Sequence, residues 1–306
     1  LVATASWAYD VTLMQQMAHA LGLKDEETYY ADLFTHIKAA FIKEFVHEDG
    51  FVAGADTGPS PFGAINNPDA KSKSGDTQTG YVLALHMNLV PEALRPAVAD
   101  KLVAKIEGNH DLLGTGFLGT PYLLAVLTES GHRDLAYKLL LNTNYPSWGY
   151  LIDHGATTMW ERWNGDQMKT DPSMNSYNHY AYGAVADWIY RYAAGVDTIA
   201  TDAGFHTVYL HPEFDAQLGS IDFHYPSPYG EIHSAWTVKG GAAKWDLTIP
   251  ANASGWLPLT EEQAANYKLD GAPISKSDRV QAGKGTDGVG YVLPAGTYSF
   301  VVTGVK

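Results

Sequence analysis

The 306-residue chain contains no cysteine. That absence removes disulfides, thiolate nucleophiles, Cys-ligated zinc and iron–sulfur clusters together. Basic residues are scarce: 20 Lys and Arg stand against 34 Asp and Glu, a formal net charge of −14. A chain this acidic is a poor ligand for a phosphate backbone, so nucleic acid is excluded as the expected partner. No uncharged apolar run reaches about 18 residues, so no membrane span is expected and the chain reads as soluble. There is no H-E-x-x-H, and His110-Asp111 and His154 lack metal-ligand spacing, so no metal is expected. The glycine run Gly114-Thr115-Gly116-Phe117-Leu118-Gly119 follows no strand, which argues against a dinucleotide loop. No G-x-S-x-G elbow occurs. At the amino end, Leu1-Val2-Ala3-Thr4 shows neither an initiator Met nor a basic n-region. The expectation is therefore a piece of a longer polypeptide.

What is present falls into two periods. Residues 1–196 read as helices. Val11, Met14, Met17, Ala18 and Leu21 recur at helical spacing before Gly22. Asp25-Glu26-Glu27 then open a helix running to about Phe45, with Tyr29, Leu33, Ile37, Ala40 and Phe41 on its apolar side. A loop of Gly, Pro, Asn and Ser spans about 49–74. Further helices are expected over 76–86, from Pro91 to about Ile106, over 118–127, over 133–141 and over 178–193. Tight turns at Gly22, Asn88 and Gly131 join them into antiparallel hairpins, as in a bundle, a solenoid or an α/α toroid. Residues 197–306 instead alternate with period two. Ile221, Phe223 and Tyr225 form one such set, Ile232, Ser234, Trp236 and Val238 a second, and Trp245, Leu247 and Ile249 a third. Gly240-Gly241 supplies a hairpin turn, and Tyr298, Phe300 and Val302 form a final strand. This half reads as an antiparallel β-sandwich. The net charges of the two halves are −9 and −5, so neither is a basic recognition module.

The aromatics concentrate where chemistry is expected. Residues 145–192 hold 11 Trp and Tyr, about twice the chain's aromatic fraction of 12%. Flat rings beside hydrogen-bonding groups suit sugars, although core packing is the commoner role of any one aromatic. Within this stretch, Glu161 lies between Trp160 and Trp163 in Gly155-Ala156-Thr157-Thr158-Met159-Trp160-Glu161-Arg162-Trp163. A carboxylate among indoles suits acid–base work, and an ion pair with Arg162 or a solvated loop charge fits equally. Asp153, Asp166 and Asp171 are nearby carboxylates that also fit turns and caps. In Ser173-Met174-Asn175-Ser176-Tyr177-Asn178-His179-Tyr180, Asn or Ser is expected to cap the last helix and His179 to lie in its first turn. His179 there can bond a hydroxyl or a carboxylate, and a capping loop with a structurally satisfied His is the alternative.

Pro146-Ser147-Trp148-Gly149-Tyr150, the Gly155-to-Trp163 motif and Asn178-His179-Tyr180-Ala181-Tyr182-Gly183 stand in the order found in bacterial α-L-rhamnosidases of glycoside hydrolase family 78. Asp76-Thr77-Gln78-Thr79, Leu113-Gly114-Thr115-Gly116-Phe117 and Thr248-Ile249-Pro250-Ala251-Asn252 extend the likeness, which spans nearly the whole chain. The resemblance implies a multidomain, α-then-β fold, part of an (α/α)6 toroid followed by a β-sandwich. It implies inverting hydrolysis of terminal α-L-rhamnosyl bonds in rhamnose-containing glycosides or polysaccharides, without a cofactor. Glu161 falls on the family's general base and His179 on a sugar-contacting His. Trp148, Trp160, Trp163 and Asn178 join the candidate sugar contacts. The family's general acid lies upstream, in an acidic, Trp-containing segment with no counterpart here. The missing amino-terminal part of the same polypeptide is thus the expected partner, and the chain alone is expected to be nearly inactive. The bacterial periplasm, the exterior and the cytoplasm all remain open as its compartment. The alternatives are another toroid enzyme, a non-catalytic carbohydrate-binding protein, or a purely structural aromatic cluster.

Overall fold

The computed structural model describes residues 1–54, 75–170, 174–200, 202–285 and 288–305. Most of the expected loop at 49–74, together with Asp171 and Ser173, lies outside the described residues. The chain divides into two compact units, Leu1–Gly183 and Ala184–Lys306.

The first unit is built from helices. Among the described residues its α-helices are α1 (Val2–Ala20), α2 (Lys24–Phe45), α3 (Gln78–His86), α4 (Arg95–Glu107), α5 (Thr120–Glu129), α6 (Arg133–Leu140) and α7 (Trp148–Asp153). A 3-10 turn, Glu92–Leu94, precedes α4, where Pro91 was expected to open the helix directly. The hairpin turns share one chemistry. At the end of α1, Gly22 N–H bonds His19 O and Leu23 N–H bonds Ala18 O, at 3.0 and 2.9 Å. At the end of α5, Gly131 and His132 repeat this pattern on Thr128 O and Leu127 O. Asn88 and Leu89 do so after α3. Each pair satisfies helix-end carbonyls through a residue at positive φ, which reverses the chain. Antiparallel packing of α1 on α2 and α5 on α6 follows.

The buried centre of this unit includes Phe41, Tyr81, Leu83, Leu85, Leu102, Ile106, Leu123 and Tyr137. The expected apolar stripe of α1 is corrected. Val11 and Ala18 are buried, but Met14, Met17 and Leu21 are exposed, and Ala5 and Ala8 are buried instead. Small side chains allow close helix approach, so the buried face of α1 follows size rather than hydropathy. On α2, Ile37 and Phe41 are buried while Tyr29 is exposed.

The second unit opens with a short helical stretch, α8 (Val185–Trp188), continued as a π-type turn over Ile189–Ala193. The strands follow as β1 (Val196–Thr198), β2 (Thr207–Leu210), β3 (Ser220–Ser227), β4 (Gly230–Lys239), β5 (Ala242–Ile249), β6 (Ser254–Pro258), β7 (Tyr267–Leu269), β8 (Ala272–Pro273), β9 (Gln281–Gly285), β10 (Gly288–Leu293) and β11 (Gly296–Thr303). One sheet runs β1-β2-β6-β10-β9 and the other β3-β4-β5-β11-β7-β8. The ladders are antiparallel except β2 with β6, which is parallel and departs from the all-antiparallel expectation. Gly240 and Gly241 take φ of +60° and +77°, the two left-handed positions a two-residue β4–β5 hairpin requires.

Between the sheets lie Phe214, Ile232, Trp236, Trp245, Leu247, Ile249, Leu257, Leu293 and Phe300. Two polar links tie the helical stretch to this core. Trp236 Nε1 donates to Ala193 O at 2.7 Å. Ser234 Oγ donates to Ala194 O at 2.7 Å while accepting from Trp245 Nε1 at 3.0 Å. Buried indole N–H groups are costly without partners, so these bonds fix how the helix end meets the sheet. Among the described residues, no helix is long and apolar enough to cross a membrane.

Candidate active site

The site is assembled from three loops of the first unit. Ser147 opens α7, its hydroxyl accepting the Tyr150 N–H at 3.0 Å. Gly155 ends the helix at φ +84°, and Gly155 and Ala156 bond the Ile152 and Leu151 carbonyls. That reversal aims residues 156–161 back along the unit. There they meet the segment 176–179 edge to edge. Glu161 N–H bonds Ser176 O at 2.9 Å and His179 N–H bonds Met159 O at 2.8 Å. Thr158 Oγ1 also donates to Tyr177 O.

This pairing corrects the helix expected over 178–193. The segment 176–179 is tied to its neighbour at Ser176 O and His179 N–H and bends at Tyr177 and Asn178 without forming a helical turn. Helical turns begin only at Ala181, so His179 precedes the helical stretch rather than occupying its first turn. The reassignment matters, because pairing brings the two motifs side by side.

Glu161 is half-buried, and its Oε2 accepts the Ser176 N–H at 2.9 Å. Among the described residues, Oε1 takes no hydrogen bond. One oxygen is thus held by the backbone while the other is unbonded among the described residues. His179 Nδ1 accepts the Ala181 N–H at 3.3 Å. With Nδ1 acting as acceptor, the neutral ring carries its proton on Nε2, which becomes a donor. The ring stacks on Phe117 at 4.6 Å and on Tyr180 at 5.3 Å.

Behind these groups sits an aromatic wall. Trp148, Trp160 and Trp163 are each no more than 7% exposed. Trp148 Nε1 donates to Tyr182 O at 2.9 Å, and its ring meets Trp163 edge-on at 5.4 Å. Trp163 lies flat on Tyr182 at 3.8 Å. The Tyr182 phenol is pushed up to about 12, by burial first and Tyr145 second. Trp160 meets Tyr177 at 5.8 Å, and its six-membered ring covers Gly165. Asn178 is exposed beside His179. Of the other carboxylates, Asp166 accepts from Tyr150 Oη at 3.3 Å and Asp153 is exposed at the end of α7.

Phe117 joins the site without any site motif of its own, stacking on His179 and meeting Tyr182 edge-on at 5.4 Å. Its loop is held by buried Gln78, whose Nε2 donates to Leu112 O at 3.0 Å and whose Oε1 accepts Gly114 N–H at 2.7 Å. A Cβ at Gly114 would lie 2.9 Å from the Gln78 amide, so glycine is needed for this clamp. The signal was the glycine run itself: it shapes a loop that presents an aromatic ring.

Comparison with known proteins settles the family. Residues 1–193 match the bacterial α-L-rhamnosidase 6-hairpin glycosidase domain, and residues 195–271 match the bacterial α-L-rhamnosidase C-terminal domain. The chain belongs to the bacterial α-L-rhamnosidase family. An α-L-rhamnosidase of Streptomyces avermitilis is 42% identical over 264 residues, covering 84% of this chain and 23% of that protein. One from Formosa agariphila is 33% identical over 304 residues, covering 98% of this chain and 30% of that protein. The crystal structure of the Streptomyces avermitilis enzyme complexed with L-rhamnose superposes with a TM-score of 0.79 at 37% identity, over 98% of this chain and 26% of that one. An α-L-rhamnosidase from Dictyoglomus thermophilum gives 0.75 at 28% identity, over 98% and 31%. The rhamnosidase family thus accounts for both parts of the chain: helical hairpins of the toroid, then the β-sandwich. The chain spans between about a quarter and a third of the length of these relatives.

Proposed function

We propose that this chain contributes the general base and part of the sugar pocket to the hydrolysis of terminal α-L-rhamnosyl bonds with inversion. The observation that carries the reading is the Glu161 carboxylate, anchored through one oxygen by Ser176 N–H, on a segment paired with the one bearing His179. In this reading Glu161 Oε1 takes a proton from water as the water oxygen bonds the anomeric carbon. The bond from that carbon to the leaving oxygen breaks, and a general acid protonates the leaving oxygen. Inversion requires the two carboxyl groups to stand about 6.5–9.5 Å apart, with room for the water between them. We assign the acid to a segment of the polypeptide outside these residues, in keeping with the share of the relatives that the chain spans.

His179 Nε2 donates to a sugar hydroxyl, and Asn178 supplies a second polar contact. Trp148, Trp160 and Trp163 form the wall that keeps this edge of the pocket dry and fixed. No cofactor is required, since water and two carboxyl groups balance the reaction. The partners are rhamnose-containing glycosides or polysaccharides.

The test is the anomeric configuration of the first rhamnose released from an aryl α-L-rhamnoside by the full polypeptide, followed by proton NMR. β-L-Rhamnose appearing before mutarotation supports the reading. α-L-Rhamnose as first product, or no release, contradicts it.

A further inference from the structure

On the outer face of the six-stranded sheet, we infer that Asp222, His224 and His233 form a zinc-binding site, independent of the hydrolytic reading. The β3–β4 hairpin builds it. Period-two alternation turns Phe223, Ile232 and Ser234 inward, so Asp222, His224, Glu231 and His233 all point the other way. The ladder sets His224 directly opposite His233, and Asp222 one pleat along on the same face.

The donor atoms already converge. His233 Nε2 lies 2.8 Å from Asp222 Oδ1, and His224 Nε2 lies 3.3 Å from the same oxygen. The two imidazoles stack with centroids 4.3 Å apart. One ligand atom from each residue falls within 4.8 Å of the others. Tetrahedral zinc with bonds of about 2.0–2.1 Å sets its ligand atoms about 3.3 Å apart. The two separations to Asp222 Oδ1, 2.8 and 3.3 Å, lie within about 0.5 Å of that spacing, so an ion enters in place of the shared protons with small side-chain adjustments.

A fourth residue supports the site from outside. His224 Nδ1 lies 3.1 Å from Glu231 Oε1. A carboxylate on the far nitrogen fixes the tautomer that leaves Nε2 free for metal, the usual outer partner of a zinc-bound histidine. Two imidazoles and one carboxylate suit zinc, whereas magnesium prefers octahedral oxygen ligands. The three ligands leave one tetrahedral position for water. Because β3 is an edge strand of its sheet, the ion would clip that edge to β4.

The experiment is zinc titration of the untagged full polypeptide by calorimetry and thermal melting, with His224→Gln/His233→Gln and Glu231→Gln variants. All three residues changed are on the surface face, so folding is checked simply by the melting curve without metal. One saturable zinc site is expected, with a rise in Tm, no response to magnesium, loss in the double variant, and weakening by about tenfold or more in Glu231→Gln. The proposal is overturned if zinc does not saturate a single site, or if the double variant binds zinc as the parent does.

Discussion

Replacing Gly165 with alanine tests whether the aromatic wall positions Glu161. A Cβ built at Gly165 would lie 2.2 Å from Trp160 Cε3 and 2.5 Å from Cδ2. Contact between carbons is comfortable only near 3.5 Å, so the indole or the backbone must move by about 1 Å. Trp160 is 6% exposed and has no open side toward which to turn. Overpacking of this kind costs about 1–3 kcal/mol. Glu161 is the next residue, and its backbone is tied to Ser176, so the displacement passes directly to the carboxylate. A 1 Å misplacement of a reacting group lowers turnover by about 100-fold. The assays are thermal melting and near-UV circular dichroism for the wall, with rhamnoside turnover by the full polypeptide for the base. A variant with unchanged dichroism, stability and turnover would refute the packing argument.

Three further outcomes follow from the same structure. Ser234→Ala takes a hydroxyl from both the Trp245 indole and the Ala194 carbonyl, and should destabilise the β unit by about 2 kcal/mol or more. A urea midpoint unchanged on tryptophan fluorescence would contradict that. Asp197 bonds Arg191 Nε at 2.9 Å, with His211 Nε2 3.6 Å away. Burial pushes its carboxyl up, but His211 and the Arg191 guanidinium outweigh burial and hold it below the ordinary aspartate value. Its stabilisation is therefore complete above the unfolded value of about 3.9 and is lost as pH falls through the lower folded value. Asp197→Asn should lower Tm near neutral pH and flatten the acid limb below about pH 4, and parallel Tm–pH curves would count against this pairing. Gln78→Ala releases the Leu112–Gly114 loop that precedes Phe117. It should raise KM for rhamnosides more than it lowers kcat, whereas an unchanged KM would detach that loop from the proposed sugar site.

Much of this was legible in the sequence because local chemistry decided it. Gly22 and Gly131 marked hairpin turns, since only residues tolerant of positive φ close such helix ends. Alternation in 221–225 and 232–238 located β3 and β4, because a sheet with one buried face has period two. The less legible features depend on distant partners. His179 precedes the helical turns because Met159 and Glu161 bond the backbone at His179 and Ser176, which no local pattern around Asn178 reveals. Met14 and Met17 fit a helical stripe, yet the alanines of α1 are the residues that pack. Asp222, His224 and His233 have no metal-binding spacing along the chain, since strand register alone brings His233 to His224. Phe117 entered the site through a clamp 36 residues away, from Gln78 to Gly114.

The central claim is that Glu161 is the base of a rhamnoside hydrolase, and Glu161→Gln in the full polypeptide tests it most directly. The amide keeps an oxygen for Ser176 N–H but cannot take a proton from water. Turnover of an aryl α-L-rhamnoside should fall by about 10²–10⁴-fold while L-rhamnose binding and Tm stay near those of the parent. Turnover retained within a few-fold would contradict the account and remove Glu161 from the chemistry.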